Sequence, residues 1–177
     1  NGRVVWVESL AATGGLAPIS EVSSVRAAPV IAGGRVIAIS AGGLFVTLDL
    51  RSGRRVWERE VAGIETPWVA GDWIFLLTAN QELGAFTRRD GRAKWVTQMD
   101  RWENPEKKKD PIRWVGPALA GGQLIMANSL GVAQFASPLT GELLGTLRLP
   151  GPVSLGPVVA GGTVFMVTDR ATLVALR

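Results

Sequence analysis

The sequence contains no cysteine, no histidine and no tyrosine, and each absence excludes a kind of chemistry. Without cysteine, the 177 residues can form neither a disulfide nor a thiolate metal site, and they hold no cysteine nucleophile. Without histidine, they lack the most common general base and the most common metal ligand. Catalysis would depend on carboxylates, lysine, serine or threonine, so the composition favours a protein that is not an enzyme and that carries no metal or cofactor.

The net charge is also small, and long hydrophobic segments that could form a helix are scarce. The 19 Lys and Arg residues only slightly outnumber the 15 Asp and Glu residues, which gives a formal net charge of +4. The densest basic run, residues 107–109, is flanked by acidic residues, as is typical of a solvated loop rather than of a nucleic-acid-binding stripe. The long uncharged stretches 114–141 and 149–168 contain repeated glycines and prolines, so neither predicts a membrane-spanning helix. We expect no nucleic acid partner.

Glycine and proline, by contrast, are abundant, with 22 and 10 residues, and hydrophobic residues make up 47% of the chain. This composition excludes both disorder and a helical bundle, and it predicts many short strands joined by turns. The prolines and glycines also recur at a fixed spacing. A proline is followed four residues later by a glycine at Pro29/Gly33, Pro67/Gly71, Pro117/Gly121 and Pro157/Gly161.

A second recurring pair is a glycine followed four residues later by a tryptophan. It occurs at Gly2/Trp6, Gly53/Trp57 and Gly91/Trp95, whereas Gly145 takes the tryptophan place after Gly141. Together the two spacings divide the chain into units that each predict four short strands. The second strands, at residues 35–40, 73–78, 123–128 and 163–168, are almost wholly apolar, so we expect them to be covered on both faces. Radially stacked, four-stranded antiparallel sheets meet this requirement, and the sequence therefore predicts an all-β protein of the β-propeller class.

The repeat also predicts where each blade, meaning one four-stranded sheet, begins and ends. Full blades are predicted at residues 27–61, 65–99 and 115–149. Residues 156–177 predict three strands of a last blade, and residues 1–8 predict the outer strand of a split blade, with the strand itself at 3–7. The outer strands of the full blades are predicted at residues 54–58, 92–96 and 143–147.

The run from Thr47 to Trp57 reads Thr-Leu-Asp-Leu-Arg-Ser-Gly-Arg-Arg-Val-Trp. It resembles the ending Ala-x-Asp-x-x-Thr-Gly-x-x-x-Trp of the quinoprotein-like (PQQ-like) propeller repeat and departs from it only at Thr47 and Ser52. The resemblance extends over the whole chain and is specific for the fold, which serves enzymes and adaptors alike. We expect Trp6, Trp57 and Trp95 to seal neighbouring blades, and a quinone stacked on one of them is the alternative.

Four segments, residues 14–26, 49–53, 66–72 and 172–177, resemble the BamB family. BamB proteins are lipoproteins of the machinery that inserts β-barrels into bacterial outer membranes. The resemblance implies an eight-bladed propeller at the periplasmic face of the outer membrane, tethered through a lipidated N-terminal cysteine outside these residues. It also implies that the chain, with about four blades, corresponds to the C-terminal half of a non-catalytic scaffold. The implied partners are BamA, the rest of the barrel-assembly complex and client outer-membrane proteins.

Two segments between blades are unusually long. Those from Gly2 to Pro29 and from Gly91 to Pro117 exceed the corresponding segments of the other repeats by about ten residues. Extended loops on a rigid scaffold are common binding sites, and the family resemblance implies BamA binding through inter-blade loops. The residues that we expect to contact a partner are Ile19, Glu21, Ser24 and Arg26 in the first segment and Arg101, Trp102 and Arg113 in the second. For the second segment, the alternative is that Trp102 and Trp114 pack against the rim while the charges face water.

Two other functions are consistent with the predicted fold. One is a periplasmic propeller that binds another protein or peptide, and the other is a quinone-dependent dehydrogenase. Such dehydrogenases carry vicinal cysteines and a cluster of acidic and amide calcium ligands, which this sequence does not show. The glycine pairs also lack the Gly-Lys-Ser/Thr ending of a phosphate-binding loop.

The last predicted blade lacks an outer strand, and an unpaired strand edge is an aggregation hazard unless something covers it. We expect the Trp6 strand of a second copy to pair there, and reciprocally, which would give a two-fold homodimer.

Overall fold

The computed structural model describes residues 2–10 and 25–177. Three of its sheets have four antiparallel strands in sequence order and a fourth has three, and we number them blades 1 to 4. Blade 1 contains β1 (Val30–Ala32), β2 (Arg35–Ile39), β3 (Leu44–Asp49) and β4 (Arg55–Glu60). Blade 2 contains β5 (Trp68–Ala70), β6 (Trp73–Leu77), β7 (Glu82–Thr87) and β8 (Ala93–Gln98).

A two-stranded hairpin, β9 (Trp102–Asn104) and β10 (Lys109–Pro111), lies between blades 2 and 3 in the chain. Blade 3 contains β11 (Trp114–Ala120), β12 (Gln123–Asn128), β13 (Val132–Ala136) and β14 (Leu143–Arg148). Blade 4 contains β15 (Val158–Ala160), β16 (Thr163–Val167) and β17 (Leu173–Leu176). The described residues therefore form an all-β structure of antiparallel sheets, as the sequence predicts.

Glycines make the turns between first and second strands, as a pair in blades 1, 3 and 4 and as Gly71 with Asp72 in blade 2. In blade 1, Ala32 pairs with Arg35, so the turn between them consists of Gly33 and Gly34. Both glycines have a positive φ, 55° and 71°, which tight hairpin turns require and which glycine adopts at no steric cost. The proline-to-glycine spacing of the repeat thus marks the first strand of a blade and the turn that follows it.

The segment that carries the repeat resemblance forms the turn between β3 and β4. The Asp49 carboxylate accepts hydrogen bonds from the Ser52 backbone N–H at 2.9 Å and from the Ser52 hydroxyl at 2.8 Å. These bonds lower the pKa of Asp49. The Gly53 N–H closes the turn by donating to the Asp49 carbonyl at 2.9 Å. Asp, Ser and Gly at this spacing therefore shape a turn.

Three hydrophobic cores of the described residues lie between neighbouring blades, and a fourth lies on one face of blade 1, under Trp6 and Leu10. Along β6, Ile74 and Leu76 face blade 1 and pack with residues of β2 and β3. The alternate residues, Phe75 and Leu77, face blade 3 and pack with residues of β12. The residues of β2 and β12 divide between two cores in the same way. The prediction that the second strands are covered on both faces is confirmed for these three strands.

Tryptophan side chains connect neighbouring parts of the array at the recurring position. The indole Nε1 donates to a backbone carbonyl of the next blade in three cases: Trp6 to Leu50 at 3.0 Å, Trp57 to Arg88 at 3.0 Å and Trp95 to Pro138 at 3.1 Å. Each indole also covers a turn glycine of that blade, namely Gly53, Gly91 and Gly141 in the same order. The prediction that these tryptophans seal neighbouring blades is confirmed for Trp57 and Trp95, whereas Trp6 contacts blade 1 from a segment that belongs to no described sheet.

Residues 2–10 lie against blade 1 but form no β-ladder with any described residue. Residues 3–7 therefore form no strand among the described residues, because a strand needs a partner for its backbone groups and no further strand of its sheet is described. Their place as the outer strand of a split blade stays a prediction. Side chains hold this segment instead. Trp6 and Leu10 pack against the blade 1 core, and Glu8 forms an ion pair with Arg55 at 2.6 Å between Oε1 and Nε.

Candidate interaction surface

The turns between second and third strands share one surface with the segments that lead into the blades, and we call this surface the loop face. Backbone N–H groups of the leading segments donate to three of these turns: Gly63 to the Ser40 carbonyl at 3.1 Å, Trp114 to Oε1 of Gln81 at 2.8 Å and Arg113 to Oγ of Ser129 at 3.1 Å. The second extended segment predicted to bind a partner ends on this face.

A cleft of ≈ 940 Å³ opens on the loop face, and we call it the loop-face cleft. Its walls come from residues 64–66, 111, 113–115 and 153–156, which lead into blades 2, 3 and 4. The second-to-third-strand turns of these blades contribute Gln81, Ser129 and Asp169, and Arg26, which precedes blade 1, completes the lining. The cleft is therefore the place where the segments leading into all four blades meet.

Two carboxylates line the cleft, and both accept hydrogen bonds from its walls. Oε2 of Glu65 accepts from the Gly116 N–H at 3.3 Å, which links the segments leading into blades 2 and 3. Oδ2 of Asp169 accepts from the Ser154 hydroxyl at 2.8 Å. Burial raises the pKa of Glu65, although the Gly116 N–H and the positive charge of Arg26 act in the opposite direction. Glu65 thus joins two walls of the cleft.

The basic side chains of the cleft have no comparable partners. Arg26 and Arg113 are exposed, and within the described part of the chain neither guanidinium takes part in an ion pair or a hydrogen bond. The cleft is therefore lined by two guanidiniums and two carboxylates, whose formal charges balance, and Arg26 acts electrostatically on Glu65.

The structure separates the residues that the sequence predicts to contact a partner. Arg26 and Arg113 line the same cleft, whereas Arg101 and Trp102 lie on the hairpin segment and outside the cleft lining. Ile19, Glu21 and Ser24 lie outside the described residues. All seven stay predictions as partner contacts.

The second extended segment contains the β9–β10 hairpin, which the sequence does not predict. Trp102 is half-buried on β9, and the Arg101 guanidinium carbon lies 6.0 Å from its ring centroid. Trp114 is 6% exposed and donates from Nε1 to the Asp100 carbonyl at 2.8 Å. Residues 105–111 around the tip are exposed. Trp114 therefore packs as the structural alternative expects, with the charged tip in water.

Several polar residues of the cleft carry no signal that the sequence analysis used: Glu65, Gln81, Ser129 and Ser154. Glu65 stands two residues before Pro67, at a position that is apolar in the other three repeats. A comparison of the repeats at this offset would have singled it out. Gln81 and Ser129 line the cleft only because the fold places their turns beside it.

The arrangement is suited to binding. In residues 2–10 and 25–177, no group of three or more acidic residues is placed to hold a metal ion. No helix in these ranges is long and apolar enough to cross a membrane. The cleft offers two unpaired guanidiniums, wall-bonded carboxylates and the exposed aliphatic side chains of Ile64 and Leu155. Such a mixture of charge and apolar surface is typical of a site for a protein or peptide.

The four-stranded sheets, the tryptophan contacts between them and the cleft on their loop face define a protein of the β-propeller type built from PQQ-like repeats. A family model described as outer membrane protein assembly factor BamB matches residues 1–97. The chain belongs to the BamB family.

Similar proteins extend well beyond the length of this chain. BamB of Salmonella typhimurium is 27% identical over 176 residues, which cover 99% of this chain and 43% of the relative. BamB of Escherichia coli K12 is 26% identical with the same coverage. The crystal structure of BamB from Moraxella catarrhalis has a TM-score of 0.81 at 15% identity, over 97% of this chain and 48% of that one. The chain thus spans less than half the length of these relatives, and the structural likeness shows the fold.

Proposed function

We propose that this chain is part of a non-catalytic scaffold of the bacterial outer-membrane β-barrel assembly machinery and that its loop face binds BamA. The observation that carries the proposal is the loop-face cleft, where the segments leading into all four blades meet around exposed charged and aliphatic side chains. The family supports it, because the relatives are named outer membrane protein assembly factors. An assembly factor needs a surface for partners, and rigid blades that display long loops provide one.

The proposal includes a place in a larger assembly. The chain would form half of an eight-bladed ring at the periplasmic face of the outer membrane, tethered by a lipid anchor outside these residues. Support comes from its match to 48% of the Moraxella catarrhalis structure at a TM-score of 0.81. The same ring would also contact the remaining components of the machinery and its client barrels.

A pull-down from detergent-solubilised outer membranes, with the whole protein as bait, tests the proposal. We expect BamA among the retained proteins. Replacing Ile19, Glu21 and Arg26 together should reduce BamA retention while the circular dichroism spectrum stays unchanged. Substitutions of Arg35 and Gln123, beside the first-to-second-strand turns on the opposite face, are the matched control. If the triple variant still retains BamA and the control variants lose it, BamA binds to the opposite face.

The same experiment tests the two alternatives. A bait that retains a different periplasmic protein and no BamA would favour a propeller that serves another partner. A quinone-dependent dehydrogenase would show quinone absorbance in the purified protein, and we expect none.

A further inference from the structure

Positive charge is concentrated in the turns between the third and the outer strands of blades 1 and 2. These turns are residues 50–54 and 88–92, and we call them the basic turns. They contain one acidic residue and five arginines, namely Arg51, Arg54, Arg88, Arg89 and Arg92. This excess of four positive charges equals the formal net charge of the whole chain, +4, whereas the corresponding turn of blade 3, residues 137–142, has no basic residue.

The two basic turns are neighbours on the face opposite the loop face. Nε1 of Trp57, on the outer strand of blade 1, donates to the Arg88 carbonyl at 3.0 Å. The Arg88 guanidinium reaches back to blade 1, where a Cβ atom on Gly33 would be 2.9 Å from its Nη1. In blade 1, the Leu50 N–H donates to the Gly34 carbonyl at 3.0 Å, which joins the basic turn to the first-to-second-strand turn. The arginines of both basic turns therefore share one surface.

The charged residues that flank the basic turns are balanced and leave this excess in place. Three are basic and three are acidic: Arg35, Arg55, Lys94, Asp49, Glu58 and Asp72. Residues 2–10, which lie against blade 1, contain one residue of each sign. Arg55 is paired with Glu58 at 2.6 Å, and the exposed Asp72 lies 3.4 Å from Arg88.

Inside the basic turns, the single carboxylate does not neutralise the arginines. Oδ2 of Asp90 lies 3.4 Å from Nε of Arg92. Three further arginines are exposed and take part in no ion pair with any described residue: Arg51, Arg54 and Arg89. Like charges held this close repel each other, and an anionic ligand on the same surface relieves the repulsion.

The backbone of the basic turns is already used, so it offers no cradle for a single phosphate. In the first turn, the N–H groups of Ser52 and Gly53 both donate to Asp49, at 2.9 Å each. In the second turn, the Gly91 N–H donates to the Thr87 carbonyl at 2.9 Å. Phosphate sites in loops are built from free backbone N–H groups. Binding at the basic turns therefore depends on side-chain charge spread over two blades, which fits an extended anionic surface better than one small anion.

The aromatic residues beside the basic turns are covered. Trp57 is 8% exposed, and Trp73 is half-buried with Nζ of Lys94 at 4.7 Å from its ring centroid. Neither ring is open for the base stacking that single-stranded nucleic acids require. Clusters of about four to eight lysines and arginines close to a bilayer are, by contrast, typical of binding to anionic lipids.

We propose that the basic turns dock on the anionic headgroups of a lipid bilayer. The inference rests on the proposed function, which puts the protein at the periplasmic face of the outer membrane, and it deepens that function by giving an orientation. The face with the basic turns rests on the membrane, and the loop face on the other side stays open to protein partners.

Co-sedimentation with vesicles tests the proposal on the whole protein, expressed without its lipid anchor. Mixed phosphatidylglycerol–phosphatidylcholine vesicles are compared with pure phosphatidylcholine vesicles. We expect the anionic vesicles to bind at least about tenfold more tightly, with an affinity that falls as salt is raised. Equal binding to both kinds of vesicle overturns the proposal. So does displacement by inorganic phosphate beyond that by chloride at the same ionic strength, or binding of an oligoglutamate peptide as tight as that of the anionic vesicles.

Charge-reversal variants locate the site. Arg51→Glu with Arg54→Glu, and separately Arg89→Glu with Arg92→Glu, should each weaken binding to the anionic vesicles by at least about tenfold. The matched control makes the same charge change at two exposed arginines outside the basic turns, Arg148→Glu with Arg170→Glu, and should change the affinity less than about twofold at physiological salt. Equal weakening by the control overturns the basic turns as the site.

Circular dichroism on each variant shows whether the blades are intact. If a reversal variant does not fold, Arg51→Gln with Arg54→Gln removes the charge without reversing it. This milder variant should still weaken binding by about fivefold or more, and unchanged binding overturns the proposal.

The pull-down with BamA distinguishes failure of this inference from failure of the proposed function. If the bait retains BamA but the protein binds both kinds of vesicle equally, the scaffold role stands and the membrane contact of the basic turns is wrong. If the anionic vesicles bind through the basic turns but BamA is not retained, the membrane contact stands and the partner on the loop face is a different protein.

Discussion

The indole of Trp57 lies so close to Gly91 that a Cβ atom on this glycine would be 2.6 Å from ring atom Cε3. Trp57 is 8% exposed, and its Nε1 donates to the Arg88 carbonyl at 3.0 Å, so the ring cannot withdraw without losing this bond. Gly91 also has a φ of 67°, which residues with a Cβ rarely adopt. The contact between blades 1 and 2 therefore requires glycine for two independent reasons.

Gly91→Ala should destabilise the protein more than the same change at Gly71. Gly71 has a φ of 56°, but no atom lies within 4 Å of a Cβ built there, so Gly71→Ala carries the backbone cost without the clash. We expect Gly91→Ala to lower the free energy of unfolding by about 1–3 kcal/mol more than this control. Urea unfolding followed by tryptophan fluorescence measures the difference. Equal losses at the two positions would show that the indole accommodates the methyl group.

Thr47→Val should raise the free energy of unfolding. Thr47 is completely buried on β3, where the PQQ-like repeat has alanine, and its hydroxyl has no hydrogen-bond partner among the residues that the structure describes. Valine has nearly the same shape and removes the unpartnered hydroxyl, so we expect a gain of about 1 kcal/mol. The contrasting variant is Ser40→Ala, which removes a buried hydroxyl that accepts from the Leu44 N–H at 3.2 Å. It should lower stability by about 1 kcal/mol.

Glu65→Gln should change how stability depends on pH. Burial raises the pKa of the Glu65 carboxyl above its ordinary value of 4.5. In the window just above that value, the folded state therefore binds a proton that the unfolded chain has released. The contribution of Glu65 to stability is highest below the window and falls as the pH rises through it. Relative to the native protein, Glu65→Gln should gain stability as the pH is raised.

Urea unfolding between about pH 4 and pH 8 provides the measurement for this prediction. Glutamine keeps an oxygen that can accept from the Gly116 N–H, whereas Glu65→Ala leaves this donor unpaired. Glu65→Ala should therefore also gain stability relative to the native protein as the pH is raised. At every pH, however, it should be less stable than Glu65→Gln. If the free energy of unfolding depends on pH in the same way for the native protein and for Glu65→Gln, the expected effect of the Glu65 pKa is contradicted.

Strand positions could be predicted closely wherever turn residues fix the spacing of the repeat. The second strand β12 covers residues 123–128, as predicted. The outer strand β4, in contrast, covers Arg55–Glu60 instead of the predicted 54–58. Its last three residues are charged and exposed, so they pair with β3 without an apolar pattern that would mark them as strand.

The hairpin and the cleft could not be predicted, for two physical reasons. At the hairpin, Lys108 and Asp110 adopt positive φ values of 49° and 57° without glycine, so the usual turn signal is missing. At the cleft, the bond from the Trp114 N–H to Gln81 joins residues 33 positions apart in different blades. No local pattern indicates such a contact, and the residues around it become a site only when blades 2 and 3 are packed together.

The last prediction concerns the free edge of β17. Among the described residues, this third strand of blade 4 has no outer strand beside it, whereas residues 2–10 lie against blade 1 without a sheet of their own. Val5 and Val7 of that segment are 81% and 83% exposed. We therefore expect the two unpaired elements to complete one blade between two copies of the 177-residue chain.

The register of that pairing follows from the complete blades. Their third and outer strands pair at Thr47↔Trp57 and Ala85↔Trp95, and the equivalent position of β17 is Ala175, so Trp6 of the second copy should lie opposite Ala175. Light scattering after size exclusion should give twice the chain mass of 18.8 kDa. Trp6→Ala, which releases the segment from blade 1, should shift the mass toward the monomer. A well-folded monomer of the native chain at micromolar concentration would show that the β17 edge is tolerated without a partner strand.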